Sequence, residues 1–268
     1  ADADGDGDLD VFVAGRGVPG RFPNPASSWL LRCGPDGLKL DTEQAATFTN
    51  VGMVTAAVFV PLDADPLPEL VLATEWGSIR VFRNRGGTFT DATKEWGLDQ
   101  QPGIWQTLAA GDFDGDGRFD LLAGNWGLNS HLKHGTKRVP YLVHGDIGGD
   151  GMYDALEARF ELATKRLLPR HRMVTLELVF PFLRERFPTH RRYGSATFQQ
   201  IFAGQLTGAK LIKASHLASV VLLNRGGKFE SRLLPVEAQL TPVMGASVAD
   251  FDGDGNEDVF LSQNYFAV

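Results

Sequence analysis

Clusters of aspartate are the residues best suited to chemistry in this sequence. Three nine-residue stretches share the pattern D-x-D-G-D-G-x-x-D: loop I (Asp2–Asp10), loop III (Asp112–Asp120) and loop V (Asp250–Asp258). Carboxylates packed this closely repel one another unless a cation neutralises them. An all-oxygen ligand set selects a hard ion, and Ca²⁺ accepts roughly six to eight oxygens in an irregular loop more readily than Mg²⁺ does. The repeated spacing therefore predicts calcium sites rather than solvated acidic turns.

Each position of the loop has a predicted role. We expect the side chains at positions 1, 3, 5 and 9 to bind the ion, and position 7 to contribute its backbone carbonyl, which would explain why the residue at position 7 varies. The glycines allow the positive φ needed to curl the chain around an ion. The predicted ligands are Asp2, Asp4, Asp6, Asp8 and Asp10; Asp112, Asp114, Asp116, Arg118 and Asp120; and Asp250, Asp252, Asp254, Asn256 and Asp258.

Two weaker copies of the loop also occur. Loop II (Asp63–Glu69) lacks the central Gly-Asp-Gly and is two residues shorter when counted from Asp63, so we expect it to keep the turn without an ion. Loop IV (Asp146–Asp154) has glycine at position 3; Glu157 at position 12 would either restore a ligand or lie on the other face of a strand. Metal binding by loop IV stays open, with Asp146, Asp150, Met152, Asp154 and Glu157 as its candidate ligands.

The residues around the loops indicate strands rather than helices. An EF-hand needs Glu at position 12, where loops I, III and V have Val13, Ala123 and Leu261. Short apolar runs precede loops III and V and follow all three loops, as expected of buried strands. A second motif, Asn-Arg-Gly-Gly, begins at Asn84 and Asn224 and predicts a further hairpin turn. The repeating unit is then a four-stranded blade, and the predicted fold class is an all-β β-propeller, partial in this chain.

These loops resemble the FG-GAP or VCBS repeats of the integrin α-subunit propeller. The overall sequence, including the runs 123–129 and 259–264, is similar to bacterial relatives of the cartilage acidic protein family. The resemblance implies a secreted or surface-exposed propeller with calcium in its blade loops and no known chemistry of its own. The literal Phe-Gly-Gly-Ala-Pro sequence is absent, so the integrin ligand face is not carried over.

The spacing of the loops predicts an inserted subdomain. Asp63 and Asp112 are 49 residues apart, whereas Asp112 and Asp250 are 138 apart, an excess of 89. We predict blades 1 to 3 (first half) over 1–128, an inserted α+β subdomain in a connection between the second and third strands of a blade over 129–217, and the rest of blade 3 with the start of blade 4 over 218–268. Within the insert, helices are expected over 174–187, kinked at Pro181, and over 195–206, with Ser195 as N-cap.

The chain begins inside loop I and ends shortly after loop V. We therefore expect an open arc of blades, whose ends are covered by the missing remainder of the propeller or by another chain.

Charge and composition narrow the choice of partner. The net charge is −7, yet the segment 165–192 carries eight Lys or Arg against two Glu, so the rest of the chain carries −13. This basic segment is either a solvated face or an anion site; no nucleic-acid motif accompanies it.

No apolar run has the length of a membrane span, and a single cysteine excludes an internal disulfide framework.

Two functions are consistent with these features. The leading one is an extracellular calcium-binding module for adhesion, scaffolding or interaction with a protein or polysaccharide at the cell surface; no catalytic motif points to an enzyme. The alternative is a propeller hydrolase or lyase acting on extracellular polysaccharide. Because calcium loops of this type bind weakly, we expect an extracellular, periplasmic or cell-surface location.

Overall fold

The computed structural model describes residues 1–129 and 139–263, so parts of the predicted domains 129–217 and 218–268 lie outside the described residues. The chain forms two compact units. The first comprises the described parts of Ala1–Gly17, Asn24–Ser130 and His216–Val268, and the second those of Val18–Pro23 and His131–Ser215.

Strands make up most of the regular structure. In chain order they are β1 (Val11–Val13), β2 (Trp29–Arg32), β3 (Lys39–Leu40), β4 (Met53–Val60), β5 (Glu69–Gly77), β6 (Arg80–Arg85), β7 (Thr88–Asp91), β8 (Gly103–Ile104), β9 (Thr107–Gly111), β10 (Asp120–Gly124), β11 (Pro140–Gly145), β12 (Asp154–Glu161), β13 (Arg166–Pro169), β14 (Lys210–Lys213), β15 (Val220–Asn224), β16 (Phe229–Leu233), β17 (Val243–Ala249) and β18 (Asp258–Gln263). The helices are α1 (Ala45–Phe48), α2 (Met173–Leu176), α3 (Phe182–Arg186), α4 (His190–Ser195), α5 (Phe198–Ile201) and a 3₁₀ turn (Val236–Gln239).

The first unit consists of antiparallel sheets that follow one another along the chain. Their strand orders are β1-β2-β3, β4-β5-β6-β7 with β8 also on β5, β9-β10-β15-β16, and β17-β18. Strands β10 and β15 pair with each other although the second unit lies between them in sequence. The predicted all-β class with four-stranded sheets is confirmed.

Strand β5 shows how these sheets stack. Its side chains alternate between two faces, as in any strand. Leu70 and Leu72 pack in one apolar cluster with Phe48 and Phe82, whereas Val71 and Ala73 pack in another that contains Trp105 and Leu121. Both faces are therefore buried against neighbouring elements, which explains why β5 is a nearly continuous apolar run rather than an alternating one.

The aspartate loops occupy equivalent places in the sheets. Loop II joins β4 to β5, loop III joins β9 to β10, loop V joins β17 to β18, and loop IV joins β11 to β12 in the second unit; loop I leads directly into β1. Each described loop thus lies at a hairpin or at the start of a strand, as the apolar flanks predict.

The second unit combines a sheet of order β13-β12-β11-β14 with helices α2 to α5 around an aromatic core. The two predicted helices are wrong in extent: the range 174–187 contains two short helices, α2 and α3, and the range 195–206 contains only α5 after the last residue of α4. Pro181 is the N-cap of α3 and separates it from α2, while Ser195 ends α4. The cap of α5 is Thr197, which shares a capping box with Gln200. No helix in the described part of the chain is long and apolar enough to cross a membrane.

Candidate metal centres in the aspartate loops

The carboxylate at position 1 closes each complete loop. In loop V, Asp250 accepts hydrogen bonds from the N–H of Gly253 at 2.7 Å and of Gly255 at 3.0 Å. These bonds lower the pKa of Asp250. Both glycines have positive φ, 80° and 88°, a conformation that residues with a Cβ rarely adopt. The same two bonds occur at Asp2, Asp112 and Asp146.

The carboxylate at position 9 ties the end of the loop to its start. Asp120 is fully buried and accepts hydrogen bonds from the N–H of Phe113 at 3.0 Å and of Asn224 at 2.7 Å. Burial raises the pKa of Asp120 despite these bonds. Asp10, Asp154 and Asp258 accept the equivalent N–H at position 2.

Three acidic side chains, including the one at position 1, converge in each of the three complete loops. One carboxylate oxygen from each member of a group lies within 4.8 Å of the others, and the groups among the described residues are Asp2, Asp4 and Asp6; Asp112, Asp114 and Asp120; and Asp250, Asp252 and Asp254. In Asp112 and Asp250, Oδ1 accepts two N–H groups, whereas Oδ2 accepts one and keeps a further lone pair for a metal ion. This all-oxygen donor set fits a calcium ion.

The other predicted ligands fall outside these groups. Asp10 and Asp258 are held by the position 2 N–H, and Asp10 also lies 2.9 Å from Arg32 Nη1. Asp116 is paired with the side chain of Arg118. Position 7 donates its N–H to the position 5 carboxylate in every complete loop, from Asp8, Arg118 and Asn256. A carbonyl ligand at position 7 stays a prediction.

Loop II has nine residues, like the complete loops. The prediction that it begins at Asp63 and is two residues shorter is wrong. The N–H of Leu62 donates to Glu69 Oε2 at 2.9 Å, which is the bond between positions 2 and 9. Asp63 Oδ1 accepts from Asp65, and Asp65 Oδ1 accepts from Leu67, as positions 3 and 5 do elsewhere. Loop II therefore runs from Pro61 to Glu69, with proline at position 1. Because no carboxylate marks position 1, the sequence pattern was counted from Asp63 instead of Pro61.

Loop IV has the backbone closure but no converging group of three acidic side chains in the described part of the chain. Asp146 accepts from Gly149 and Gly151, and Asp150 accepts from Met152, whose side chain is 70% exposed. Glu157 lies within β12, where its Oε2 is 3.4 Å from Arg170 Nε. An ion pair with Arg170 thus competes with any ligand role of Glu157.

The turn asparagines link consecutive loops, a role that the sequence did not reveal. Asn84, at the end of β6, donates from Nδ2 to the carbonyl of Pro68 in loop II of the same sheet at 3.1 Å. It also donates to the carbonyl of Ala3 in loop I at 2.7 Å. Asn224 repeats this pattern with Phe119 at 3.2 Å and Leu62 at 2.8 Å. Ala3 and Leu62 both occupy position 2, so the equivalence supports the corrected register of loop II.

Comparison with known proteins agrees with this architecture. Residues 62–123, which span β5 to β10 with most of loop II and all of loop III, match a family described as FG-GAP-like repeat. Human cartilage acidic protein 1 is 28% identical to this chain over 204 residues, which cover 75% of the chain but only 27% of that protein. Together with the recurring loop closure, these findings identify an all-β, propeller-like fold with an FG-GAP-like repeat over residues 62–123.

Proposed function

We propose that this chain is an extracellular calcium-binding propeller module that serves in adhesion, scaffolding or interaction with a protein or polysaccharide. The observation that carries the proposal is the convergence of three carboxylates in each of loops I, III and V. Cartilage acidic protein 1, which the chain resembles, supports a location outside the cell. The chain spans about a quarter of that protein, 27% of its length.

Backbone hydrogen bonds within each loop hold its carboxylates in place before an ion binds. Hydrogen bonds from the glycine N–H groups orient the position 1 carboxylate, while the bond between positions 2 and 9 fixes the ends of the loop. The carboxylates at positions 3 and 5 then meet the position 1 carboxylate at short distance in loops I and V. A bound calcium ion would supply the positive charge that offsets their repulsion.

Calcium bound here would stiffen the framework rather than carry out a reaction. Loops III and V join the first two strands of their sheets, so an ion that holds the loop also holds the hairpin. Rigid hairpins keep the surface of the module in one shape, which reduces the entropy lost when a partner binds. This supports a binding role for the module, with calcium as a structural ion.

Thermal unfolding with and without calcium tests this function. At a dissociation constant of about 0.1 mM and about 1 mM free Ca²⁺, each site adds about 1.4 kcal/mol to the free energy of unfolding. Three occupied sites would raise the melting temperature by roughly 10 °C over the value in EGTA. Magnesium at the same concentration is the control and should have a much smaller effect.

A variant lacking the position 3 carboxylates, Asp4→Asn/Asp114→Asn/Asp252→Asn, separates site binding from a general salt effect. We expect its melting temperature to respond weakly to calcium. Equal responses of this variant and the native chain would show that the loops are not the calcium sites.

A further inference from the structure

Arg85 contacts three acidic side chains of loop II, whereas Arg83 approaches one of them, with its Nε 3.9 Å from Asp63 Oδ2. Arg85 directly follows the turn asparagine Asn84. Its Nη2 is 3.0 Å from Asp63 Oδ2, and its Nη1 is 3.3 Å from Asp65 Oδ2 and 3.8 Å from Glu69 Oε1. These carboxylates occupy positions 3, 5 and 9, which are predicted ligand positions in the complete loops.

Glu69 gives an independent reason for a cation at this place. The residue is fully buried, and its Oε2 is taken by the N–H of Leu62. Its Oε1 is buried without a hydrogen-bond partner among the described residues. Burial raises the pKa of Glu69, so a nearby positive charge is what would favour the ionised form of this carboxylate.

Loop II is poorly equipped to obtain that charge from a metal ion. Proline replaces the carboxylate at position 1, and Ala64 and Pro66 replace the glycines at positions 4 and 6. Pro66 also has no N–H to donate. The loop nevertheless keeps the bonds between positions 2 and 9, 3 and 5, and 5 and 7. A group other than a fully coordinated metal ion must therefore balance the negative charge of this loop.

We propose that the guanidinium of Arg85 is the resident cation of loop II and replaces the metal ion there. Its planar fork can reach several carboxylates at once, which a single ammonium group does less well. The blade built on β4 to β7 thereby keeps its loop closed in the absence of calcium.

The equivalent arginine in the next sheet has a related effect on loop III. Arg225 follows Asn224, and its Nη1 lies 2.6 Å from Asp114 Oδ2 and 3.3 Å from Asp116 Oδ2. Loop III keeps its position 1 carboxylate, Asp112, which converges with Asp114 and Asp120. Arg225 therefore competes with the metal ion for positions 3 and 5. This second step rests on the proposed calcium function, whereas the role of Arg85 does not.

Melting temperatures in EGTA test the role of Arg85 without any metal. The Arg85 side chain is 51% exposed, so solvent screens its ion pairs; Arg85→Gln should lower the melting temperature by about 3 °C, and Arg85→Lys should lower it less, because lysine keeps the charge but not the fork. The matched control is Arg16→Gln, which removes an exposed arginine paired with Glu75 at 2.8 Å and should cost less than about 2 °C.

The effect of Asp65→Asn, at a carboxylate whose one arginine partner among the described residues is Arg85, should change sign with the residue at position 85. In the native background it removes a partner of Arg85 and lowers the melting temperature. In the Arg85→Gln background it removes an uncompensated carboxylate and raises the melting temperature, which also helps that variant to fold. A decrease in both backgrounds, or an Arg85→Gln effect no larger than that of Arg16→Gln, would overturn the proposal.

Calcium titration tests the second step. Arg225→Gln should tighten calcium binding at loop III by about tenfold. The control Arg16→Gln removes an arginine that pairs with Glu75, outside the contacts of Arg225, and should leave the affinity unchanged. An unchanged or weaker affinity in Arg225→Gln would refute the competition. A native chain that binds no calcium would refute the proposed function, while the comparison in EGTA would still decide the role of Arg85.

Discussion

Asp250 shows how one side chain can serve both the fold and the ion. Its two oxygens accept N–H groups from Gly253 and Gly255, and it also belongs to the converging group with Asp252 and Asp254. The hydrogen bonds lower its pKa, so the side chain stays ionised in the absence of metal. Loop V therefore presents a negative charge that is already oriented.

Substitution of Asp250 by asparagine tests this double role. Asparagine keeps one acceptor oxygen but removes the charge and replaces the other oxygen with a donor. We expect the calcium affinity of loop V to fall at least about tenfold, since ligand charge sets the affinity of such loops. Isothermal titration calorimetry measures the change. The control Asp36→Asn removes an exposed aspartate that pairs with Lys39 at 2.6 Å, and it should leave every site intact; equal affinities in the two variants would count against loop V as a site.

At the level of single residues, the sequence predicted what is local. In loops I, III and V the closing bonds join residues at most seven positions apart, so a nine-residue pattern contains almost all of the information. The nine-residue pattern gave the wrong start for loop II, because Pro61 and Glu69 replace the aspartates found at positions 1 and 9 of the complete loops. The bond from Leu62 to Glu69 shows that the backbone closure survived this change.

At the level of elements, long-range contacts decide how neighbouring sheets fit together. Asn224 is fully buried and joins loop III to Leu62, which is 162 residues away in the chain. No local pattern can reveal a bond of that separation.

The limits of the helices in the second unit were predicted wrongly for a related reason. Helices of four to six residues are too short to be stable alone, so packing around residues such as Phe198 and Phe202 sets their limits.

Replacement of Asn224 by alanine tests the link between sheets. The variant loses hydrogen bonds to the carbonyls of Leu62 and Phe119 and leaves both without that donor. We expect the free energy of unfolding to fall by about 2 kcal/mol or more, measured by urea denaturation. The exposed control Gln100→Ala should change it by less than about 0.5 kcal/mol. A cost for Asn224→Ala as small as that of the control would show that the link contributes nothing.

At the level of the whole molecule, the loops concentrate negative charge in a protein whose net charge is −7. Three calcium ions would add six positive charges, and −7 plus 6 gives −1. The segment 165–192 already carries +6, so the charge to be offset lies elsewhere in the chain. Metal binding would therefore relieve much of the self-repulsion that destabilises a compact acidic protein.

Direct counting of bound calcium tests the central claim most closely. Isothermal titration calorimetry of the metal-free chain with Ca²⁺ should show saturable binding of three ions, one for each converging group of carboxylates. The number should fall to two when Asp252→Asn disables loop V. A native chain with no saturable calcium binding up to about 10 mM, well beyond the weakest range of such extracellular sites, would not be a calcium-binding module.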